Sequence, residues 1–247
     1  FDTVYKHVGT RAAIGFQASD DNIFVTEYPG LTKMYEAVTQ YNGFSAIEAG
    51  KLMGLAPYGK PNDDLPPFFR DGWGNRDLII PTYPNAAQIN VSRFDILKED
   101  VKHHEPNKYT DIQKDLAYKI QEETSDKMVE LIRKAHELTG EKNIVVCGGY
   151  GLNCVANYKY LREFPDLNIY CEPISHDGGT SIGGAKYVHN KLEETTKPSK
   201  QESVYYGPQY DPTGYEADLE GLEVTDTSYD DVAKLLRERN IVTIYQG

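Results

Sequence analysis

The sequence contains no apolar run that approaches the roughly 20 residues of a membrane-spanning helix, and no signal peptide is visible in it. Cysteine is scarce, because only Cys147, Cys154 and Cys171 occur among the 247 residues, and none belongs to a C-x-x-C pair. An odd number of cysteines without that spacing indicates reduced thiols. We therefore expect packed, reduced cysteines in a cytoplasmic protein that has no membrane partner.

Basic residues are also few. The 26 lysines and arginines are outnumbered by 38 aspartates and glutamates, which gives a formal net charge of −12. This is not the basic stripe of a nucleic-acid binder, although an acidic total is compatible with a local basic cleft. The G-x-S-x-G, P-loop and zinc-knuckle motifs are missing as well. With 39% hydrophobic and 26% charged residues, the chain is globular, and its length allows one large domain or two smaller ones.

The most informative stretch is residues 143–189, where short apolar runs alternate with glycine turns. A β-branched run bounded by glycines is typical of a strand buried on both faces. The order strand, glycine turn, helix, strand, glycine turn, helix predicts a parallel α/β unit. The predicted elements are a strand at 144–146, a helix at about 152–164, a strand at 167–171 and a helix that begins at Thr180. Ligands of such sheets lie beyond the carboxyl ends of the strands, where both glycine turns fall.

The first glycine turn is a candidate anion site. Gly148, Gly149 and Gly151 can leave backbone N–H groups available to a ligand, and the N-terminus of the following helix adds a favourable field. Asn153, in the first turn of that helix, can bond a ribose, a base or the local backbone. A tight turn with an asparagine cap explains the same residues without a ligand, and for the glycines alone it is the simpler interpretation.

Asp177 and Lys51 are the charged candidates. A carboxylate at the end of the second strand, beside Gly178, can hold a metal ion that bridges phosphate oxygens. As an alternative, Asp177 caps the next helix. Lys51 lies in a run of small residues at 50–60 and could contact a phosphate, although a lone lysine is more often a solvated surface charge.

The rest of the N-terminal part combines helices with a loop-rich segment at 61–107. A long helix is predicted at 110–139, because Thr110 and Gln113 form a capping-box pair and Gly140 can end it. Its apolar stripe, which we interpret as core and not as a cofactor site, is Ile112, Leu116, Ile120, Met128, Leu131, Ala135 and Leu138. Further helices are predicted at 31–41 and 48–55, and short strands at 12–17, 23–26, 78–80 and 88–91.

A polar segment at 193–203 has the composition of a linker, and we place a domain boundary near Pro198. Beyond it the sequence predicts a helix at about 229–240 and then a buried strand at 241–245. Because a protein rarely ends on a core strand followed by a turn, we expect this chain to be part of a longer polypeptide.

Three motifs carry a resemblance to a known family. They are GKLMGLAPYGKP at 50–61, CGGYGLNCVAN at 147–157 and HDGGTSIGGA at 176–185. In order and spacing they resemble the O-carbamoyltransferase family of the NodU, CmcH and TobZ type, and the resemblance covers nearly the whole chain. The sequence departs from the family at Ala49, where a glutamate is common. It also lacks the paired upstream histidines and the downstream GPRALG motif of that family.

The resemblance implies a specific α/β architecture. Residues 1–197 would form part of an actin-like domain, the fold shared with sugar kinases, chaperone ATPases and the enzymes that place threonylcarbamoyl on transfer RNA. Residues 198–203 would be the linker, and residues 204–247 would begin a YrdC-like α/β domain.

The resemblance also implies a reaction in two steps. Carbamoyl phosphate and ATP give carbamoyl adenylate in the YrdC-like domain, and the actin-like domain passes the carbamoyl group to a hydroxyl of a small-molecule or sugar acceptor. A divalent metal, expected to be iron, assists the transfer, with Asp177 as ligand and catalytic residue. The implied nucleotide-binding residues are Gly148, Gly149, Gly151, Asn153, Lys51 and Gly178. A homodimer is a possible assembly.

Proteins of two other classes would contain the same nucleotide-binding loops. One is an actin-like kinase or transfer-RNA-modifying enzyme, and a phosphoryl-transfer enzyme would need no carbamoyl phosphate. The other is a non-catalytic nucleotide-binding module. It would be favoured if the chain were complete, because half of each active site would then be absent.

Overall fold

A computed structural model of the chain describes residues 6–9, 23–26, 28–82, 86–195, 203–205, 207–208 and 219–243. The chain divides into two compact units, Phe1–Thr195 (unit 1) and Thr196–Gly247 (unit 2). The described helices are α1 (Leu31–Tyr41), α2 (Ala49–Leu55), α3 (Asp95–Asp100), α4 (Asp111–Thr139), α5 (Cys154–Glu163), α6 (Gly179–Leu192) and α7 (Tyr229–Arg237). The described strands are β1 (Lys6–Gly9), β2 (Ile23–Thr26), β3 (Phe69–Arg70), β4 (Trp73–Gly74), β5 (Ile79–Thr82), β6 (Ala86–Ile89), β7 (Asn143–Val146) and β8 (Asn168–Cys171).

The strands described here pair two by two. The pairs β1–β2 and β7–β8 are parallel, whereas β3–β4 and β5–β6 are antiparallel. In the β7–β8 pair, Val146 lies opposite Cys171, and α5 forms the connection between the two strands. The predicted parallel α/β unit is therefore confirmed, and the protein is a mixed α/β chain.

Helix α4 forms where its end residues predict it. The Thr110 hydroxyl accepts a hydrogen bond from the Gln113 N–H at 3.0 Å, and the Gln113 side chain accepts one from the Thr110 N–H at 3.0 Å. These two bonds satisfy donors that a helix N-terminus otherwise leaves open. At the other end Gly140 adopts φ 70°, the left-handed conformation of a helix C-cap.

The larger core of unit 1 lies around the N-terminal half of α4. It joins side chains of α1, α2, α3 and the β5–β6 pair, and its fully buried members include Met34, Val38, Leu52, Phe68, Ile79, Leu97, Leu116 and Ile120. A smaller core joins Val129 and Ile132 of α4 to Val146, Ala156 and Tyr160. Tyr150 packs against both cores.

The apolar stripe of α4 is fully buried only along its N-terminal half, although Met128 packs against the smaller core. Leu116 and Ile120 are fully buried, but Leu138 is 46% exposed. In the C-terminal half the buried positions are Val129 and Ile132 instead. The partners of the helix change along its 29 residues, from α1 and α2 to α5 and β7. The prediction that the whole stripe is core is therefore wrong.

Strand β7 is not buried on both faces. Val146 is 6% exposed, whereas Val145 is 63% exposed. Side chains alternate along a strand, and only the face that carries Val146 packs against α4 and α5. The expectation of packed cysteines is also corrected, because Cys147 and Cys154 are exposed and Cys171 is half-buried; all three are free thiols.

Segment 61–107 contains more structure than predicted. It forms the β3–β4 hairpin and α3 in addition to β5 and β6, which overlap the strands predicted at 78–80 and 88–91. The helix predicted at 48–55 begins as a 3₁₀ turn at Ala46–Glu48, and the helix predicted at 152–164 begins as a 3₁₀ turn at Gly149–Leu152. The strand predicted at 12–17 lies outside the described residues.

Unit 2 is described mainly around α7. Ser228 caps this helix by accepting a hydrogen bond from the Asp231 N–H at 3.2 Å. Residues 241–243 form no strand, and Ile241 is fully exposed, so the predicted strand at 241–245 is wrong over that part. Among the helices described in both units, none combines the length and apolar character needed to cross a bilayer.

Candidate functional site

A cavity of about 720 Å³ opens in unit 1. Four segments line it: residues 29–32 at the start of α1, the β3–β4 hairpin, the C-terminal half of α4, and residues 146–151. Helix α4 contributes Lys127, Met128, Glu130, Leu131 and Lys134. The volume lies within the roughly 300–1,000 Å³ that is typical of sites for small molecules and cofactors.

The glycine loop, residues 148–151, forms one wall of this cavity. Gly148 has φ 90°, a conformation that side-chain-bearing residues rarely adopt. A Cβ atom at Gly151 would lie 2.9 Å from the Ser175 Oγ, whereas one at Gly149 would meet nothing within 4 Å. The backbone of the loop thus requires glycine at Gly148, and a side chain at Gly151 would force Ser175 to move. Gly149 instead borders open space.

The field in the cavity favours anions. Helix α1 begins there after Gly30, without a side-chain cap, so the positive end of its dipole lies at the cavity. Lys127 and Lys134 line the same space. The Lys127 ammonium forms an ion pair with Glu130 and lies 5.6 Å from the centroid of the Phe69 ring. The cavity lining therefore combines two ammonium groups with a helix N-terminus.

The β3–β4 hairpin supplies the aromatic side of the cavity through Phe69 and Trp73. Its two-residue turn, Asp71-Gly72, has φ 52° and 82°, the combination that type I′ hairpin turns require. Gly74 is needed because a Cβ there would lie 2.2 Å from the Pro29 carbonyl oxygen. Sequence analysis missed this wall, although Asp-Gly between aromatic residues is a hairpin signal.

Asn153 lies beneath the surface, 7% exposed, and does not line the cavity. Its Oδ1 accepts hydrogen bonds from the Ala156 N–H at 3.1 Å and from the Gln121 Nε2 at 3.2 Å. Its Nδ2 donates to the Gln121 Oε1 at 3.0 Å, which also accepts from the Tyr35 hydroxyl at 2.9 Å. Burial raises the pKa of the Tyr35 phenol. Asn153 thus caps α5 and ties it to α4, and its direct contact with a nucleotide stays a prediction.

We expect Asn153→Ala to destabilise unit 1 by roughly 2 kcal/mol. The change removes an N-cap, worth about 1 kcal/mol. It also removes two hydrogen bonds of the buried Gln121 amide, which keeps only those to Tyr35 and Ser125, at a cost of about 1 kcal/mol. Urea unfolding followed by circular dichroism measures the loss. Asn153→Ser keeps a capping oxygen and should recover about half of it. Equal losses in both variants would contradict the cap.

Lys51 is on the surface and outside the cavity lining. Its side chain is 61% exposed and pairs with Glu48. That pairing, with a hydrogen bond from the Ser45 N–H at 2.8 Å, lowers the pKa of Glu48 to about 2. The end of the same motif packs on α4, where buried Asp115 accepts hydrogen bonds from the Lys60 N–H at 3.0 Å and from the Asn62 Nδ2 at 2.9 Å. In the described part of the chain, the contacts of this motif are with other residues of the protein, and they stabilise the fold.

Asp177 and Gly178 lie in the loop between β8 and α6, exposed and away from the cavity lining. The Gly178 N–H donates to the His176 Nδ1 at 3.0 Å, and the Asp177 carbonyl accepts from the Thr180 hydroxyl at 2.6 Å. These bonds fix the turn. Among the described residues, no group of three or more histidine, cysteine, aspartate or glutamate side chains is arranged to hold a metal.

Comparison with known proteins assigns the family. A family model described as "Carbamoyltransferase N-terminus" matches residues 7–186. The uncharacterized protein sll1178 of Synechocystis is 31% identical over 87% of this chain, and the nodulation protein NolNO of Sinorhizobium fredii is 29% identical over 74%. The uncharacterized protein MJ1058 of Methanocaldococcus jannaschii is 24% identical over 87% of the chain.

The chain therefore belongs to the carbamoyltransferase family, through the N-terminal part of that family's sequence, and the predicted resemblance is confirmed. The chain spans 38% of the length of the Synechocystis relative and 26% of NolNO.

Proposed function

We propose that this chain supplies part of the transfer site of an O-carbamoyltransferase, and that the cavity of unit 1 binds the nucleotide portion of carbamoyl adenylate. The observation that carries the proposal is the joint presence of the glycine loop, two lysines and a helix N-terminus around one cavity. A nucleotide needs backbone donors and positive charge for its phosphate, and an open wall for its base and sugar.

Carbamoyl phosphate and ATP are the proposed sources of the adenylate: hydrolysis of carbamoyl phosphate releases inorganic phosphate and gives carbamate, whose oxygen attacks the α-phosphate of ATP and displaces pyrophosphate. In the second step the acceptor hydroxyl attacks the carbamoyl carbon and loses its proton, and AMP leaves. The acceptor class is a hydroxyl-bearing small molecule or sugar. Family membership supports the transfer, and it favours this proposal over a phosphoryl-transfer enzyme with the same loops.

A divalent metal, iron in our proposal, would polarise the carbamoyl carbonyl when bound. Asp177 suits the role of one ligand, because it is an exposed carboxylate in a loop that hydrogen bonds from the Gly178 N–H and to the Asp177 carbonyl hold in place. The described residues add no further cluster of ligands around it. The remaining ligands of the proposed site would therefore come from outside the described residues.

Gly149→Val tests the nucleotide site. A Cβ here meets no protein atom within 4 Å, and Gly149 lines the cavity. We therefore expect a valine to leave the fold intact, to occupy part of the cavity, and to lower the affinity for ATP at least tenfold. Isothermal titration calorimetry on the full-length gene product measures the affinity. Gly183→Val, an open position on α6 outside the cavity, is the matched control. Wild-type affinity in Gly149→Val would leave the glycine loop as a structural turn only.

A second measurement separates carbamoyl transfer from phosphoryl transfer. Products of ATP are compared after incubation of the full-length protein with and without carbamoyl phosphate. We expect AMP and pyrophosphate to form only when carbamoyl phosphate is present. Formation of ADP and a phosphorylated acceptor without carbamoyl phosphate would contradict the proposed reaction.

A further inference from the structure

We infer that Trp73 is the residue that stacks on the nucleobase of the ligand in the unit 1 cavity. The inference rests on the proposed nucleotide site, and it specifies which part of the nucleotide the β3–β4 hairpin contacts. Trp73 is the single tryptophan of the chain and lies half-buried in the cavity lining together with Phe69.

The tryptophan is held in place before any ligand arrives. Its ring stacks on Tyr28, with ring centroids 5.8 Å apart and planes 25° from parallel. The Arg76 guanidinium lies 5.5 Å from the centroid of the Tyr28 ring. An aromatic ring held in this way loses little conformational entropy when a flat ligand packs against it.

The turn and the base of the hairpin are also fixed. Buried Asn75 donates from its Nδ2 to the Pro67 carbonyl at 2.7 Å, and its Oδ1 accepts from the Asp77 N–H at 3.1 Å. The close approach of Gly74 to the Pro29 carbonyl joins the hairpin to the start of α1. The hairpin that carries Trp73 is therefore joined to α1, the helix whose positive N-terminal end lies at the cavity.

The chemistry of the lining divides the cavity into two kinds of surface. Phe69 and Trp73 offer flat apolar surface, whereas the glycine loop, Lys127 and Lys134 offer donors and positive charge. A nucleotide has the matching division into a flat base and an anionic phosphate chain. Stacking of a base on an aromatic side chain tolerates any base, because every base has a π-face. The hairpin should therefore bind nucleotides by their base, with little discrimination among bases, while contributing little to the binding of the phosphate.

The first test observes Trp73 directly. The full-length protein is labelled with 5-fluorotryptophan, and the ¹⁹F resonance that disappears in Trp73→Phe identifies the residue. We expect ATP to shift this resonance and tripolyphosphate, which has no base, to leave it nearly unchanged. A resonance that ATP does not move, in protein whose ATP affinity falls in Gly149→Val, would overturn the inference and leave the proposed nucleotide site intact.

The second test measures affinity in two variants. Trp73→Ala should weaken ATP and GTP binding by a similar factor, about tenfold or more, and leave tripolyphosphate binding unchanged. Trp73→Phe keeps an aromatic face and should stay within about threefold of the wild type. Equal loss for all three ligands, or no loss for any, would overturn the inference. Wild-type protein that binds no ATP would instead defeat the proposed function on which the inference rests.

Discussion

Replacing Gly59 by alanine is expected to destabilise unit 1 by about 3 kcal/mol or more. A Cβ at this position would lie 2.1 Å from the Lys114 carbonyl oxygen and 2.9 Å from the Asp115 backbone nitrogen. Both atoms belong to the backbone of α4, so no side-chain rotation can relieve the overlap. The conformation of Gly59 itself, φ −93° and ψ 176°, is open to any residue, which leaves the close approach as the reason for glycine.

The expected damage extends beyond the overlap. The chain that follows Gly59 supplies the Lys60 N–H and the Asn62 side chain to the buried Asp115 carboxylate. If the segment moves away from α4, this carboxylate loses hydrogen bonds while it remains in a poorly solvated place. The loss should appear as a lower midpoint of urea unfolding, followed by circular dichroism at 222 nm.

Gly54→Ala is the matched control for this prediction. Gly54 is an exposed position within α2, and a Cβ there would meet nothing within 4 Å. Alanine should stabilise the helix by about 0.5–1 kcal/mol, because glycine loses more backbone entropy on folding. Opposite signs for the two variants are expected. Similar unfolding midpoints would contradict the close packing of the glycine segment on α4.

Local signals in the sequence predict much of unit 1. The ends of α4 follow from Thr110, Gln113 and Gly140, because caps act on the nearest few residues. The order of elements from β7 to α6 follows from glycines and apolar runs. Burial is harder to predict, because it depends on which elements pack nearby. Val145 has the residue type of a core strand but faces solvent.

The candidate site is predictable only in part for the same reason. Gly148, Gly149 and Gly151 are adjacent in sequence, and they do line the cavity. The other walls come from α1, the hairpin and α4, which are distant in sequence and meet only through tertiary packing. Lys51 and Asn153 have side chains suited to a ligand, yet both bind partners within the protein. Lys51 pairs with Glu48, and Asn153 forms hydrogen bonds with Gln121.

The second large effect is expected for Asp177→Asn in the full-length gene product. If Asp177 binds the proposed metal, the change should reduce carbamoyl transfer to a hydroxyl acceptor about 10³-fold, since a metal that polarises a carbonyl contributes several kcal/mol. Asparagine keeps the size of the side chain but removes the charge that a hard divalent cation favours. Because Asp177 is exposed, stability should change by about 0.5 kcal/mol at most.

Metal content is measured beside activity, by elemental analysis of the purified protein. Asp166→Asn, which makes the same change at an exposed position between α5 and β8, is the control and should retain both metal and turnover. Unchanged metal content together with unchanged turnover in Asp177→Asn would remove Asp177 from the site and leave it as a turn residue before α6.

The same variant separates the two steps of the reaction. Under the proposed division of labour, carbamoyl adenylate forms away from Asp177, so pyrophosphate release that depends on carbamoyl phosphate should persist when transfer is lost. Gly149→Val should instead weaken binding of the adenylate while metal content stays normal. Loss of pyrophosphate release in Asp177→Asn, with ATP affinity intact, would place this carboxylate in adenylate formation and contradict its assignment to the transfer step.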